Sequence, residues 1–425
     1  MSFEEENRRA ICAYFKQGAK GDQPCEKLGV EVEHFVVDAT TQRAIPYEGK
    51  QGAFGVRDIL EYLKAFYPHE TRGLEGDLIG LANSEASLTL EPAAQLEISI
   101  APYCSIADIS RVYSQFRGHV DSFVEQHNAQ LVTLGYHPTE KARNLSLIPK
   151  KRYHFMDEYF SSIGTHGERM MRASASTQVS IDYKDEADAI RKMRVAQALV
   201  PLLAALSDNV VRFEGVVPEK PLSRLMMWRD VDNERCGQIP GLFEQGFGFE
   251  QYADWLCGIC PIFVTRPSSD DPQGPTLRSV KGMTAAEAYA DAPMTRDDIE
   301  HLLSMVWPDV RLKHFVEIRP ADALPASVMA GYAALIKGIF YSEQSLACVE
   351  DAFGVVNGRW PLSDTYTDES ACAMRERGLQ ASIAGLSLPE WKVLLFSQAK
   401  KALGEEERKA IEAIEQWSAQ KRFAF

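Results

Sequence analysis

Residues 30–37 read VEVEHFVV and residues 95–100 read QLEISI, and in both the leading positions alternate between aliphatic side chains and acids or amides. Successive side chains on an extended strand point to opposite faces, so Glu31 and Glu33 share one face while Val30 and Val32 share the other. In the second run Gln95, Glu97 and Ser99 oppose Leu96, Ile98 and Ile100. The same period recurs at 178–182, QVSID, where Gln178, Ser180 and Asp182 oppose Val179 and Ile181, and at 314–319, HFVEIR, where Glu317 and Arg319 oppose Val316 and Ile318. Placed in one antiparallel sheet, four such strands pack an aliphatic face on helices. Their other face collects Glu31, Glu33, Glu97, Asp182 and Glu317 around Arg319.

A solvated sheet face carries Lys, Thr and mixed charge, whereas these four are dominated by carboxylates and Gln. Same-face neighbours along a strand lie about 6.8 Å apart, so the acids repel one another unless cations lie among them. Oxygen donors without clustered Cys or His favour Mg²⁺ or Mn²⁺ over zinc. Mg²⁺ held in this way is completed by substrate phosphates and water, which implies a nucleotide. His34 and His314 alternate onto the aliphatic side and are expected to be structural.

Outward from these strands, helical patterns at 56–67, 106–129 and 185–206 separate short strand-like runs without the regular rhythm of a parallel sheet, an α+β texture. Beyond about residue 326 long amphipathic patterns take over. The expected organisation is a catalytic part over 1–325 and a C-terminal helical layer over 326–425 packed on the same unit. The Pro-, Ser- and Gly-rich stretch 266–282 reads as a surface loop.

The chain has 425 residues, 45% apolar and 25% charged, which rules out disorder, collagen and coiled coil. With 60 acidic against 46 basic residues its net charge of -14 repels phosphate backbones, so no nucleic-acid partner is expected. Anionic small molecules must then be met by local cations, for which Arg169, Arg172, Arg229 and Arg235 are candidates. No apolar run approaches the roughly 20 residues of a membrane span. The opening MSFEEENRRA lacks the apolar segment of a signal peptide, so a cytoplasmic location is expected. Cys257-Gly258-Ile259-Cys260 has no second ligand pair for zinc, and it reads as a helix end followed by a short strand at PIFV. Gly246 and Gly248 lack the following GK[ST] of a phosphate loop.

Taken in order, LGVEVEHF, EGDLIGLANSEASLTLEPAAQLEIS, IPKKRYHFMDEYF, RMMRASASTQVSIDY, WRDVDNERCG, FGFEQYADW and HLLSMVWPDVRLKHFVEIRPAD resemble the plant and proteobacterial type of glutamate–cysteine ligase, from about residue 28 to 325. The motifs ExE, EPxxQxE and RxxxExR are specific in combination. The resemblance implies a glutamine-synthetase-like fold, a curved antiparallel sheet forming a funnel with flanking helices. It implies a ligase that uses ATP and Mg²⁺ to join glutamate to cysteine, with small molecules as its partners. Glu31, Glu33, Glu91, Glu97 and Glu317 are implied as metal ligands with Gln178 near them. Arg319 is implied to face the transferred phosphoryl, with Glu317 beside it, and Arg172 and Arg235 to hold the carboxylates of glutamate. Asp182 is not part of the resemblance and rests on alternation alone. Two departures stand out. Ala93 and Ala94 replace two glycines of the family motif, which puts a left-handed backbone there in doubt. The CxxC segment lies where the family lines its acceptor pocket.

Overall fold

The computed structural model describes residues 2–73, 75–266 and 277–420. In chain order the strands are β1 (Leu28–Asp38), β2 (His69–Arg72), β3 (Leu78–Ala82), β4 (Ala86–Leu90), β5 (Leu96–Tyr103), β6 (Ala129–Val132), β7 (Thr177–Ile181), β8 (Cys236–Gly237), β9 (Trp307–Pro308), β10 (Val310–Leu312), β11 (Val316–Ile318), β12 (Ser382–Ile383) and β13 (Leu386–Ser387). The helices before residue 326 are α1 (Glu4–Gly18), α2 (Val56–Leu63), α3 (Ile106–Glu125), α4 (Lys151–Phe160), α5 (Gly167–Ala173), α6 (Glu186–Leu206), α7 (Ser223–Trp228), α8 (Phe249–Gly258), α9 (Ala285–Ala288) and α10 (Arg296–Leu303). Five follow: α11 (Ala326–Phe340), α12 (Glu343–Ala352), α13 (Tyr366–Arg377), α14 (Leu388–Ala402) and α15 (Glu405–Gln420).

The four alternating runs join one antiparallel sheet in the order β10-β11-β7-β1-β5-β4-β3-β2, with β6 paired to the far half of β1. Register then decides which polar groups meet. Glu33 lies opposite Glu97, which lies opposite Thr89. Glu31 stands between Ser99 and Gln178, and Glu317 between Ser180 and Arg311. On the other face Val30, Val32, Leu96, Ile98, Val179, Ile181, Val316 and Ile318 are fully buried. This face is covered by α3 on β5 and by α11 on β7. Burying such side chains contributes about 1.5–3 kcal/mol each, and a one-residue slip would place the acids in that core instead.

Local signals set the helix ends. Ser105 caps α3 by accepting from the amides of Ala107 and Asp108, and Thr295 with Asp298 forms a capping box on α10. α2 and α3 stop at Leu63 and Glu125, short of the expected ends. The PIFV run is not a strand; only Val264 pairs, in an isolated bridge with Arg278. Of the expected surface loop, 267–276 lies outside the described residues. Among the described residues no helix is long and apolar enough to cross a membrane.

Candidate active site

The polar face of the sheet forms the floor of a cavity of about 540 Å³ lined by Glu31, Glu33, Glu91 and Glu97. Cations face them from several elements: Lys150 and Arg152 at the start of α4, Arg224 on α7, Arg311 on β10, and Lys313 and Arg319 on either side of β11. These four acids, with Glu300 of α10 as a fifth, enclosed with six cations form a chamber suited to a polyanion that brings divalent cations with it.

Burial and mutual repulsion both act on the acids. Burial raises Glu97 to about 8, with Glu91 and Glu33 adding to the rise. Glu31 rises to about 7 through burial and then Glu97, and Glu91 to about 7 through burial and then Glu33. Glu33 is pushed up by burial too, although Ser176 donates to it from both its amide and its hydroxyl at 2.8 Å. Oxygen donors that crowd until their ionisation is suppressed fit the chemistry of a hard divalent cation. Among the described residues no three His, Cys, Asp or Glu side chains already converge on one point, so the acids are spread along the wall.

Glu317 sits differently. It is fully buried, and burial would raise it, but Arg311, Lys313 and Arg319 together hold it well below the usual carboxylate range. Arg311 forks its two oxygens at 2.7 and 3.0 Å, Lys313 donates to Oε1 at 3.0 Å and Arg319 to Oε2 at 3.0 Å. Arg319 also donates to Gln178 Oε1, whose amide donates to Glu33 at 3.3 Å. A continuous hydrogen-bonded line therefore runs from Arg311 through Glu317, Arg319 and Gln178 to Glu33.

The turn that presents Glu91 contains the alanines that replace glycine. Ala94 adopts φ +65° all the same. Its amide donates to the Glu91 carbonyl at 3.0 Å, and the amide of Ala93 donates to Gln95 Oε1 at 2.9 Å. Ala94→Gly would relieve about 1–2 kcal/mol of left-handed strain but lose a buried methyl, about 0.8 kcal/mol, and loosen the unfolded chain by about 0.4–1 kcal/mol. The expected result in chemical denaturation is a change within about 1 kcal/mol. Ala94→Val, a β-branched residue at positive φ, should cost about 2 kcal/mol or more; equal stability of the two variants would contradict the left-handed turn.

The sequence model of glutamate–cysteine ligase family 2 (GCS2) matches residues 27–416. The chain belongs to this family. A chloroplastic glutamate–cysteine ligase (B) of Oryza sativa subsp. japonica is 30% identical over 381 residues, 89% of this chain and 72% of that protein. The chloroplastic enzyme of Nicotiana tabacum is 32% identical over 344 residues, 80% of this chain and 64% of that protein. The crystal structure of a glutamate–cysteine ligase from Francisella tularensis in complex with AMP shares the fold, with a TM-score of 0.52 at 12% identity over 94% of this chain and 84% of that one. The ligase thus has the glutamine-synthetase-like α+β fold.

Three residues expected at the site stand elsewhere in this geometry. Arg235 is 0% exposed and does not line the cavity. It pairs with Asp232 at 2.5 Å and donates to Tyr159 Oη and to the carbonyls of Cys260 and Met305. Arg172 likewise stands outside the cavity wall, donating to Asp157 at 2.6 Å and to the Leu145 carbonyl at 3.0 Å. Asp182 lies past the end of β7, paired with Lys20 at 3.4 Å and accepting from the Lys27 amide, away from the other acids. Arg169 and Arg229 also stay outside, on Glu214 and Asp309.

His34 is buried, at 2.9 Å from the Leu96 carbonyl and 2.8 Å from Tyr113 Oη, and His314 stacks on Tyr14. Cys257 and Cys260 are free thiols, the first inside α8 and the second just past its end. The cations missed by sequence reading, Lys150, Arg152, Arg224, Arg311 and Lys313, carried one legible signal. Arg311 and Lys313 continue the alternation of Glu317 and Arg319 backwards along RLKHFVEIR.

Proposed function

We propose that this ligase uses ATP to join the side-chain carboxylate of glutamate to the amine of cysteine, giving γ-glutamylcysteine, the first step of glutathione biosynthesis. The observation that carries the reading is the single chamber in which Glu31, Glu33, Glu91 and Glu97 face Lys150, Arg152, Arg224, Lys313 and Arg319. Transfer of the γ-phosphoryl of ATP to glutamate gives γ-glutamyl phosphate and ADP; the amine then attacks the acyl carbon, loses a proton and expels inorganic phosphate. Little covalent work falls to the protein, which must position the reactants and hold the charge that moves between them.

Mg²⁺, or Mn²⁺ in its place, would be held by Glu31, Glu33, Glu91 and Glu97 and would neutralise charge on the ATP phosphates. Of the implied ligands Glu317 suits this role least, because three cations already occupy its oxygens; it orients Arg319 instead. Arg319, anchored on Glu317 and Gln178, faces the phosphoryl group in transit. Arg224, which lines the cavity where Arg172 and Arg235 do not, is the cation for a glutamate carboxylate; its Nη1 donates to the carbonyls of Pro320 and Ala321 at 3.4 Å. It is 4% exposed, and its Nε has no hydrogen-bond partner. Eight free cysteines suit a thiol-reducing compartment such as the cytoplasm.

Met156, Met170, Met171, Trp228 and Trp307 give the cavity an apolar part suited to a small side chain. Swapping one heteroatom there changes transition-state binding by roughly 1–3 kcal/mol. An acceptor screen of the purified protein, scored by phosphate release and product mass, should find cysteine best. 2-Aminobutyrate should retain activity at higher KM, and bulky or charged amines should fail. Preference for a bulky or cationic amine would overturn the named product, and ATP consumption independent of glutamate and amine would overturn the ligase reading.

A further inference from the structure

Behind Arg319 lies a buried polar cluster that the reaction scheme does not use. Asp309, 7% exposed, accepts on Oδ2 from Arg229 at 2.8 Å and from Gln197 Nε2 at 3.0 Å. Its backbone carbonyl accepts from the amide of Arg319 at 3.1 Å, and its amide donates to the Gly237 carbonyl at 2.8 Å. Arg229 directly follows Trp228, which lines the cavity. The Arg229 guanidinium lies so close to Gly237, which has φ +80°, that a Cβ there would stand 2.8 Å from Nη1. The cluster continues into the C-terminal helices. Gln197 donates to Thr367 Oγ1 at 2.9 Å, Thr367 donates to Gln238 at 2.8 Å, and Arg229 Nε pairs with Asp368 at 2.8 Å. Thr367 and Asp368 lie in the first turn of α13.

We propose that Asp309 is a positioning residue for Arg319, and that α13 holds Asp309 in place through Arg229 and Gln197, so that the C-terminal helical layer is part of the catalytic apparatus. The inference rests on the reading above in which Arg319 faces the transferred phosphoryl. Its physical basis is geometric. The Arg319 side chain is fixed at its tip by Glu317 and Gln178, and its backbone is fixed by Asp309. Asp309 is in turn held by a cation and an amide that reach it from α7 and α6, both tied to α13. Loosening that backbone moves the guanidinium by a fraction of an ångström to an ångström, enough to cost up to about 100-fold in rate.

The test uses the full-length protein. Asp309→Asn should lower kcat by about 10- to 100-fold while KM for ATP and for glutamate change by less than about 3-fold. Amide hydrogen exchange at Arg319, read by mass spectrometry, should accelerate. In an Arg319→Lys background the same change should cost less than about 3-fold more, because the group being positioned is already lost. Arg229→Met should reproduce the defect and Arg229→Lys should recover part of it. Should Asp309→Asn fail to fold, Thr367→Val tests the tether from α13 without stranding a buried charge, and it should raise exchange at Arg319 and lower kcat by about 3-fold. Multiplicative losses in the double variant, a defect confined to KM, or unchanged exchange at Arg319 would overturn the proposal. A wild-type protein without glutamate-dependent ATP turnover would refute the ligase reading instead, and the exchange measurement would still decide whether α13 tethers Arg319.

Discussion

Glu97→Gln should lower turnover by about 100-fold or more, the several kcal/mol that charge stabilisation by a bound divalent cation is worth, while leaving the metal-free protein folded. Glu97 stands directly opposite Glu33 in the sheet and close to Glu91, so removing its charge relieves repulsion. The sign with pH follows from the direction of the shifts. Glu97 is raised to about 8 and Glu31 and Glu91 to about 7. Groups raised in the folded state stabilise it below their unfolded values near 4.5, and that contribution is lost as pH rises through 7 and 8. The metal-free wild type should therefore melt lower at about pH 8 than at about pH 6, and Mg²⁺ should restore more at the higher pH. Glu97→Gln should flatten both dependences. Glu317, depressed in the folded state, contributes in the opposite sense and is lost only in acid. Calorimetry with and without Mg²⁺ checks all three statements, and a Glu97→Gln protein turning over at the wild-type rate would remove Glu97 from the metal site.

Arg319→Lys should reduce kcat by about 100- to 1000-fold with KM for glutamate nearly unchanged, as expected when one donor aimed at developing charge is lost. Lys keeps the charge but loses the planar, multi-donor guanidinium, of which Nη1 alone holds both Gln178 and Glu317. Arg224→Lys should do the reverse, raising KM for glutamate with a smaller change in kcat. Arg172→Lys and Arg235→Lys, whose guanidinium groups serve Asp157 and Asp232, should act through stability. Initial-rate kinetics at varied glutamate and saturating ATP separate these outcomes. A KM effect from Arg172 equal to that of Arg224 would return the carboxylate-holding role to Arg172.

Alternation is a property of a single extended segment, so VEVEHFVV, QLEISI, QVSID and HFVEIR carried their own face assignment and hence the carboxylate wall. The resemblance added Glu91, which sits in a turn and has no period to betray it. Asp182 obeyed the same alternation and failed, because β7 ends at Ile181 and the next residue leaves the sheet.

Arg311 and Arg319 share in that alternation, but which of the arginines outside the alternating strands face the cavity was decided by tertiary structure alone. A guanidinium on a flexible stem takes whichever carboxylates or carbonyls the fold brings within reach, and sequence spacing does not encode those partners. Arg235 lies three residues after Asp232 and closes on it. Arg224, in a short helix with no acid so near in sequence, reaches the cavity wall, its Nη1 donating to the carbonyls of Pro320 and Ala321. Local sequence determined the sheet, its register-forming faces and the acids on them. Long-range packing chose the cations that answer those acids, because burial leaves a charge only the neighbours that folding supplies.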